Sequence, residues 1–172
     1  MLEVWVPYTN LAPDTAALAE RVGAHLAALD PADPDDYGRF MAARWKAGRG
    51  FILVEHDVVP SVAQIVRLAA CSDTLCMYGY RGAGERPEGP VLFGCVKFSP
   101  GLIARSPDLW IRYLAAATAP EGHPDHDFSS ARCQRWNVLP EWIAHALAVP
   151  VHWHGRVVHL HRSASSPVRA AE

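Results

Sequence analysis

The chain has 172 residues, of which 50% are hydrophobic and 20% charged, with a formal net charge of −2. This composition is typical of one globular domain and excludes an intrinsically disordered chain. The low charge provides no strong field toward nucleic acid or an anionic membrane, and no apolar stretch approaches the ~20 residues of a membrane span. The four cysteines lack zinc-motif spacing and the N-terminus lacks a signal-peptide pattern. We therefore expect reduced thiols and a cytoplasmic protein.

The first part of the chain alternates between strand-like and helical patterns. Residues 2–6 predict an apolar strand, and a helix begins near Asp14, which we expect to cap it, with apolar residues at helical spacing as far as Leu29. A second helix is predicted over residues 37–47. Residues 51–54 are apolar throughout, which indicates a strand covered on both faces.

A third helix begins at a capping box formed by Ser61 and Gln64 and runs to about residue 70. Residues 74–80 and 91–98 predict two more strands, joined by a loop at 81–90 that contains three glycines and two prolines.

The last part of the chain contains several proline-initiated helices and a final strand-like segment. Ser-Pro pairs at 99–100 and 106–107 predict helix starts, and a last helix begins at residue 140. Residues 151–161 are strand-like, with a turn expected at Gly155 and Arg156. We therefore predict an α/β fold with a mostly parallel central sheet and helices on both faces, in a single domain over residues 1–161, followed by a disordered tail at 162–172.

Two carboxylates, Glu55 and Asp57, follow the buried strand at residues 51–54. Ligands of open α/β sheets bind outside the carboxyl ends of strands. In extended chain these side chains would point to the same side, roughly 6.6 Å apart along the strand. Such a pair repels itself unless a cation lies between the carboxylates, and Mg²⁺ or Mn²⁺ prefers carboxylate oxygen. The pair therefore predicts a metal site, with solvated or helix-capping acids as the alternative.

Four histidines form two HxH pairs, His152 with His154 and His159 with His161. Alternate residues of a strand share a face, so each pair converges on one side, and imidazole is a common metal ligand. The alternative is the polar face of an edge hairpin. Because two valines precede His159, the second pair is favoured as metal ligands.

Together these features resemble a GT-A-type glycosyltransferase, and more closely the very small single-domain members of bacterial and phage genomes. The segments that carry the resemblance are VPYTN, GFILVEHDVVPS, LFGCVKFSP and VVHLH. The resemblance implies a Rossmann-like GT-A architecture that binds a nucleotide sugar. In it, Glu55-His56-Asp57 stands at the DxD metal motif with Glu for the first Asp, and His159 or His161 matches a late metal-ligating histidine.

The function that this resemblance implies is sugar transfer from a nucleotide-diphosphate donor, most simply a UDP-sugar, with Mn²⁺ or Mg²⁺ as cofactor. The donor-binding residues would be Pro7, Tyr8, Thr9, Glu55, His56 and Arg81. No single residue stands out as the general base, and the candidates are Asp125, Asp127 and Glu141. The acceptor stays open among a glycan, a lipid, a small molecule and a hydroxylated DNA base.

Two other functions fit the same residues. A different metal enzyme, a hydrolase or an oxygenase, would combine the HxH pairs with Glu55 or Asp57 and would bind no nucleotide. A non-catalytic nucleotide-binding module would show no turnover and would tolerate changes at Asp57.

Overall fold

The computed structural model describes residues 2–33, 35–80, 92–110, 144 and 147–160, with the backbone alone at residues 92, 93 and 159. Within these ranges, every helix falls short of the length and apolar character that a membrane crossing requires. The tail predicted at 162–172 lies outside the described residues.

A central sheet of six strands organises the fold. The strands within the described residues are β1 (Glu3–Tyr8), β2 (His25–Ala28), β3 (Phe51–Val54), β4 (Val58–Val59), β5 (Leu75–Tyr80), β6 (Leu92–Phe98), β7 (His152–Arg156) and β8 (Val158–His159). The central sheet has the order β2-β1-β3-β6-β5-β7, and β4 pairs with β8 in a separate two-stranded sheet. In the central sheet, β6 alone is antiparallel to its neighbours β3 and β5, while the other pairings are parallel. The predicted mostly parallel sheet is therefore confirmed.

Helices cover both faces of the sheet, as predicted. The helices whose full range lies within the described residues are α1 (Pro13–Val22), α2 (Asp36–Lys46), α3 (Val62–Ala70) and α4 (Pro100–Arg105). Phe51 and Leu53 of β3 face one buried core, which includes residues of α2 and α4, whereas Ile52 and Val54 face a second core with residues of α1 and α3. This alternation follows from the two-residue period of a strand and explains why β3 is apolar at every position.

The observed N-terminal caps of the helices match the predicted caps in two cases and differ from the prediction in one. The Ser61 hydroxyl accepts from the Gln64 backbone N–H at 3.2 Å, and the Gln64 side chain accepts from the Ser61 N–H at 2.7 Å, which confirms the capping box. Ser99 caps α4 as its Ser-Pro pair predicts. The expected cap at Asp14 is wrong: Ala12 is the N-cap of α1, and Asp14 lies in the first turn.

One predicted helix ends early, and an unpredicted strand follows it. Gly23 adopts φ 63° and ψ 38°, a left-handed conformation that glycine takes without strain and that ends α1. The next residues form β2, an edge strand parallel to β1. Leu26 continues the helical spacing but is 46% exposed, so its spacing in the sequence did not reflect burial on a helix.

Near the C-terminal end of the described chain, the backbone passes from the central sheet to the two-stranded sheet. Gly155 and Arg156 belong to β7, so the turn predicted there is wrong. The transition occurs at Val157, whose N–H donates to the Gly79 carbonyl at 3.0 Å. Residues 158 and 159 then pair antiparallel with β4.

Candidate functional site

The acidic turn, which we define as Glu55, His56 and Asp57, follows β3 at the carboxyl end of that strand. The Glu55 N–H donates to the Gly94 carbonyl of β6 at 3.0 Å, and the Val58 N–H donates back to the Glu55 carbonyl at 3.2 Å. The chain therefore turns at these residues instead of staying extended, contrary to the geometry expected from the sequence. The turn brings one possible ligand atom of each of its three residues within 4.8 Å of the others.

The two carboxylates of the acidic turn interact unfavourably when both are ionised. Burial, the largest cause, and the neighbouring Asp57 carboxylate raise the pKa of Glu55 to about 8. The Tyr37 hydroxyl donates to Glu55 Oε1 at 3.3 Å and offsets part of this increase. Near neutral pH, Glu55 therefore retains a proton that a bound cation would displace.

Backbone contacts from two other parts of the chain hold the acidic turn in place. The Leu160 N–H, directly after β8, donates to the Asp57 carbonyl at 2.8 Å, and the Ala12 N–H, ahead of α1, reaches the His56 carbonyl at 3.5 Å. The Thr15 hydroxyl donates to the Val58 carbonyl at 3.4 Å. The turn thus has a fixed position between α1 and the end of the described chain.

The absence of a side chain at Gly94 allows the two-stranded sheet to lie close to β6. A Cβ atom at this position would lie 2.7 Å from Val157 Cγ2 and 3.1 Å from Val58 Cγ1. Val58 is the first residue of β4 and Val157 directly precedes β8, so a larger residue at position 94 would displace the two-stranded sheet beside the acidic turn or β6.

Several residues predicted for the site lie on elements that surround the acidic turn. Pro7 and Tyr8 are at the carboxyl end of β1, the parallel neighbour of β3, and Thr9 follows them. The backbone of His159 is in register with Val58, directly after Asp57. The other predicted site residues lie outside the described part of the chain and stay predictions: Arg81, Asp125, Asp127, Glu141 and His161.

The first HxH pair lies away from the acidic turn. His152 and His154 belong to β7, which is separated from β3 by β6 and β5, a spacing of about 14 Å across three strand intervals. His152 is in register with Cys76 near the start of β5. The structure therefore does not bring this pair together with Glu55 or Asp57, as a combined hydrolase or oxygenase site would need.

A separate group, which we call the cysteine–histidine cluster, is formed by Cys71, Asp73, His152 and His154. Cys71 and Asp73 lie between α3 and β5, and a ring nitrogen of each histidine comes within 4.8 Å of the Cys71 Sγ atom. Burial, followed by the nearby His152 and Arg67, lowers the pKa of His154. The HxH pattern identified the two histidines in the sequence, but nothing in the sequence connected them with Cys71 or Asp73.

Comparisons with known proteins support the fold and leave the sequence family open. Neither a family model nor a curated protein sequence matches this chain. Among solved structures, one match is a glycosyltransferase described as involved in the glycosylation of the major capsid of PBCV-1. The TM-score is 0.52 with 11% sequence identity, over 90% of this chain and 81% of that chain. The similarity therefore extends over most of both chains and shows a shared fold.

Proposed function

We propose that this chain is a metal-dependent glycosyltransferase that moves a sugar from a nucleotide-diphosphate donor, most simply a UDP-sugar, to an acceptor. The observation that carries the proposal is the acidic turn at the carboxyl end of the buried strand β3, within a fold that a solved glycosyltransferase shares. The acidic turn and the shared fold support the proposal only together, because acidic groups often occur without a metal and one fold supports many functions.

The chemistry of the acidic turn suits a hard divalent cation. Glu55 and Asp57 supply carboxylate oxygens, which Mg²⁺ and Mn²⁺ prefer, and His56 supplies an imidazole. Burial first, and repulsion by Asp57 second, raise the pKa of Glu55, and a bound cation would favour the ionised carboxylate against both. We propose His159 as a further ligand because its backbone pairs beside the turn, with His161 as the alternative.

The proposed reaction depends on the positions of groups around this cation. The bound metal would neutralise the negative charge that grows on the departing nucleoside diphosphate. In this arrangement Pro7, Tyr8 and Thr9, at the end of the strand beside β3, contact the nucleotide, and Arg81 binds a phosphate. The base that activates the acceptor comes from Asp125, Asp127 or Glu141. The chain's main contribution is to hold donor and acceptor in reactive geometry.

Turnover of nucleotide sugars tests this function. The protein is incubated with a panel of nucleotide sugars in Mn²⁺ or in EDTA, with water taking the sugar in place of the acceptor, and release of the nucleoside diphosphate is measured. We expect release in Mn²⁺, none above background in EDTA, and a loss of more than about tenfold in Asp57→Asn. Glu20→Gln, which changes an exposed carboxylate on α1, is the matched control and should retain full turnover.

Three results would contradict the proposal. Equal release in EDTA would remove the role of the metal, and full activity in Asp57→Asn would remove the role of the acidic turn. Tight nucleotide binding without release from any nucleotide sugar would instead favour the non-catalytic binding module.

A further inference from the structure

We propose that the cysteine–histidine cluster is a second metal site, which takes a transition-metal ion of the zinc class and ties the edge strand β7 to the segment after α3. This site is independent of the proposed glycosyltransferase function. It involves different residues, a different donor chemistry and the other end of the sheet from the acidic turn.

The location of the cluster follows from the strand register. Cys71 and Asp73 precede Leu75, the first residue of β5. Leu75 pairs with Phe98 of β6, and Phe98 pairs on its other side with Phe51, the first residue of β3. The first residues of β5 and β3 therefore lie at the same end of the sheet. The acidic turn follows the last residue of β3. The two groups therefore lie at opposite ends of the sheet, and one ion cannot serve both.

Three atoms with lone pairs converge in the cluster. Cys71 Sγ lies 3.2 Å from His152 Nδ1 and 3.4 Å from Asp73 Oδ2, while His152 Nδ1 lies 2.5 Å from the same Asp73 oxygen. A cysteine–histidine–aspartate relay would use the two nitrogens of the imidazole separately, one for the thiol and one for the carboxylate. Here both partners approach the same nitrogen, so the contacts form a triangle instead of a relay.

A shared cation accounts for such a triangle. For Zn²⁺ bonds of about 2.0–2.3 Å in a tetrahedron, the ligand atoms stand roughly 3.3–3.8 Å apart. The two sulfur contacts are already within a few tenths of an ångström of that spacing. Within this triangle only the contact between His152 and Asp73 must open, and both side chains are about half exposed, which leaves them room to move.

His154 supplies the fourth candidate ligand. It follows His152 by two residues on β7, and their ring centroids are 4.4 Å apart. Its Nε2 atom is buried and has no hydrogen-bond partner among the described residues. A buried polar atom without a partner is unfavourable, so it calls for an explanation. A metal ion close to this ring provides one.

The donor set selects the class of metal. A thiolate and two imidazoles are ligands typical of zinc sites, whereas Mg²⁺ and Ca²⁺ prefer oxygen. The Cys71 thiolate and the Asp73 carboxylate together match the charge of a divalent ion. Two positively charged residues lie nearby: Lys97, which donates to the Cys71 carbonyl, and Arg67. Their charge favours a site with these two anionic ligands over a site with neutral ligands only.

The consequence for the fold is a stabilised edge. Among the strands that the structure describes, β7 pairs with β5 alone, and it continues into β8, which lies beside the acidic turn. A metal bridge from His152 and His154 to Cys71 and Asp73 adds a second attachment for this strand. The site is therefore structural, with all four positions filled by side chains.

Cobalt substitution tests the site directly, because Co²⁺ bound to a thiolate has a charge-transfer absorption band that oxygen ligands do not produce. The metal-free full-length protein is titrated with Co²⁺ and then with Zn²⁺. We expect the band to saturate at one equivalent, to disappear when Zn²⁺ displaces Co²⁺, and to be absent in Cys71→Ser. His152→Ala should weaken binding by more than about tenfold, since even the loss of residues that only orient ligands commonly has an effect of that size.

Matched variants distinguish this site from the rest of the chain. His25→Ala removes an exposed histidine stacked on Trp5 at the opposite edge of the sheet and should leave Co²⁺ binding unchanged. The double variant Glu55→Gln with Asp57→Asn should also retain the band. Protection of Cys71 from alkylation by one equivalent of Zn²⁺, mapped by mass spectrometry in the wild-type protein, does not require any variant to fold.

Four experimental results would overturn the proposed metal site. No charge-transfer band in the wild type, a band that survives Cys71→Ser, or alkylation of Cys71 that Zn²⁺ does not slow would each overturn the proposal. Loss of the band in the acidic-turn variant but not in His152→Ala would do the same, because it would place the ion at the other end of the sheet.

Discussion

The pKa of Glu55 makes the stability of the metal-free protein depend on pH in a defined direction. Its ordinary value is 4.5, and in the folded protein it is raised to about 8, first by burial and then by Asp57. Below the ordinary value the carboxyl group is protonated in both states and its contribution to stability is complete. As the pH rises, the unfolded state ionises first, so the free energy of unfolding falls until the pH exceeds the folded pKa.

The size of this effect can be bounded from the same two values. A difference of one pKa unit corresponds to 1.36 kcal/mol, so the full loss is at most about 5 kcal/mol. Between about pH 6 and pH 9 the expected loss is about 2–3 kcal/mol as an upper limit, because partial exposure of Glu55 allows solvent screening.

Urea unfolding in EDTA at several pH values measures this loss. Glu55→Gln removes the titrating group and resembles its neutral form, so its stability should fall less across the same range, and the two curves should diverge as the pH is raised from 6 to 9. Glu20→Gln should follow the wild-type curve. Parallel curves for wild type and Glu55→Gln would refute the argument, because the Glu55 carboxyl group would then have the same pKa in both states.

Three further substitutions test the surroundings of the acidic turn and the fold. Tyr37→Phe removes the hydroxyl that donates to Glu55 and should raise the folded pKa of Glu55 further, so in the same urea assay the loss of stability should continue to higher pH and be larger in total. Gly94→Ala should displace Val58 and Val157 and weaken Mn²⁺ binding measured by calorimetry, whereas Gly101→Ala, which meets little in the structure, should not. Ser61→Ala removes the N-cap of α3 and should lower the free energy of unfolding by about 1 kcal/mol, and no change would contradict the capping box.

The elements that could be predicted from sequence are those whose signals are local. The apolar run of β3 and the capping box of α3 each specify an element with neighbouring residues alone. The spacing of Leu26 and Leu29 was misleading because it continued the helical period past Gly23, where a single left-handed residue ends the helix. β4 could not be predicted, since its two valines form a strand only through pairing with residues 158 and 159.

The candidate sites show the same distinction. The position of Glu55 and Asp57 after a buried strand could be identified, but the sequence did not reveal the turn that brings their ligand atoms together. Cys71 and His152 are 81 residues apart and meet because β7 pairs in parallel with β5. Nothing local in the sequence encodes that register, so the cysteine–histidine cluster could be found only in the folded chain.

Calorimetric titration of UDP tests the central claim most directly, because the account requires a cation between the acidic turn and the donor diphosphate. Wild type, Asp57→Asn and Glu20→Gln are each titrated first in EDTA and then in Mn²⁺. The account predicts that Mn²⁺ strengthens UDP binding by wild type and Glu20→Gln by more than about tenfold and has little effect on Asp57→Asn. Equal UDP affinity in EDTA and Mn²⁺ for the wild-type protein would contradict it.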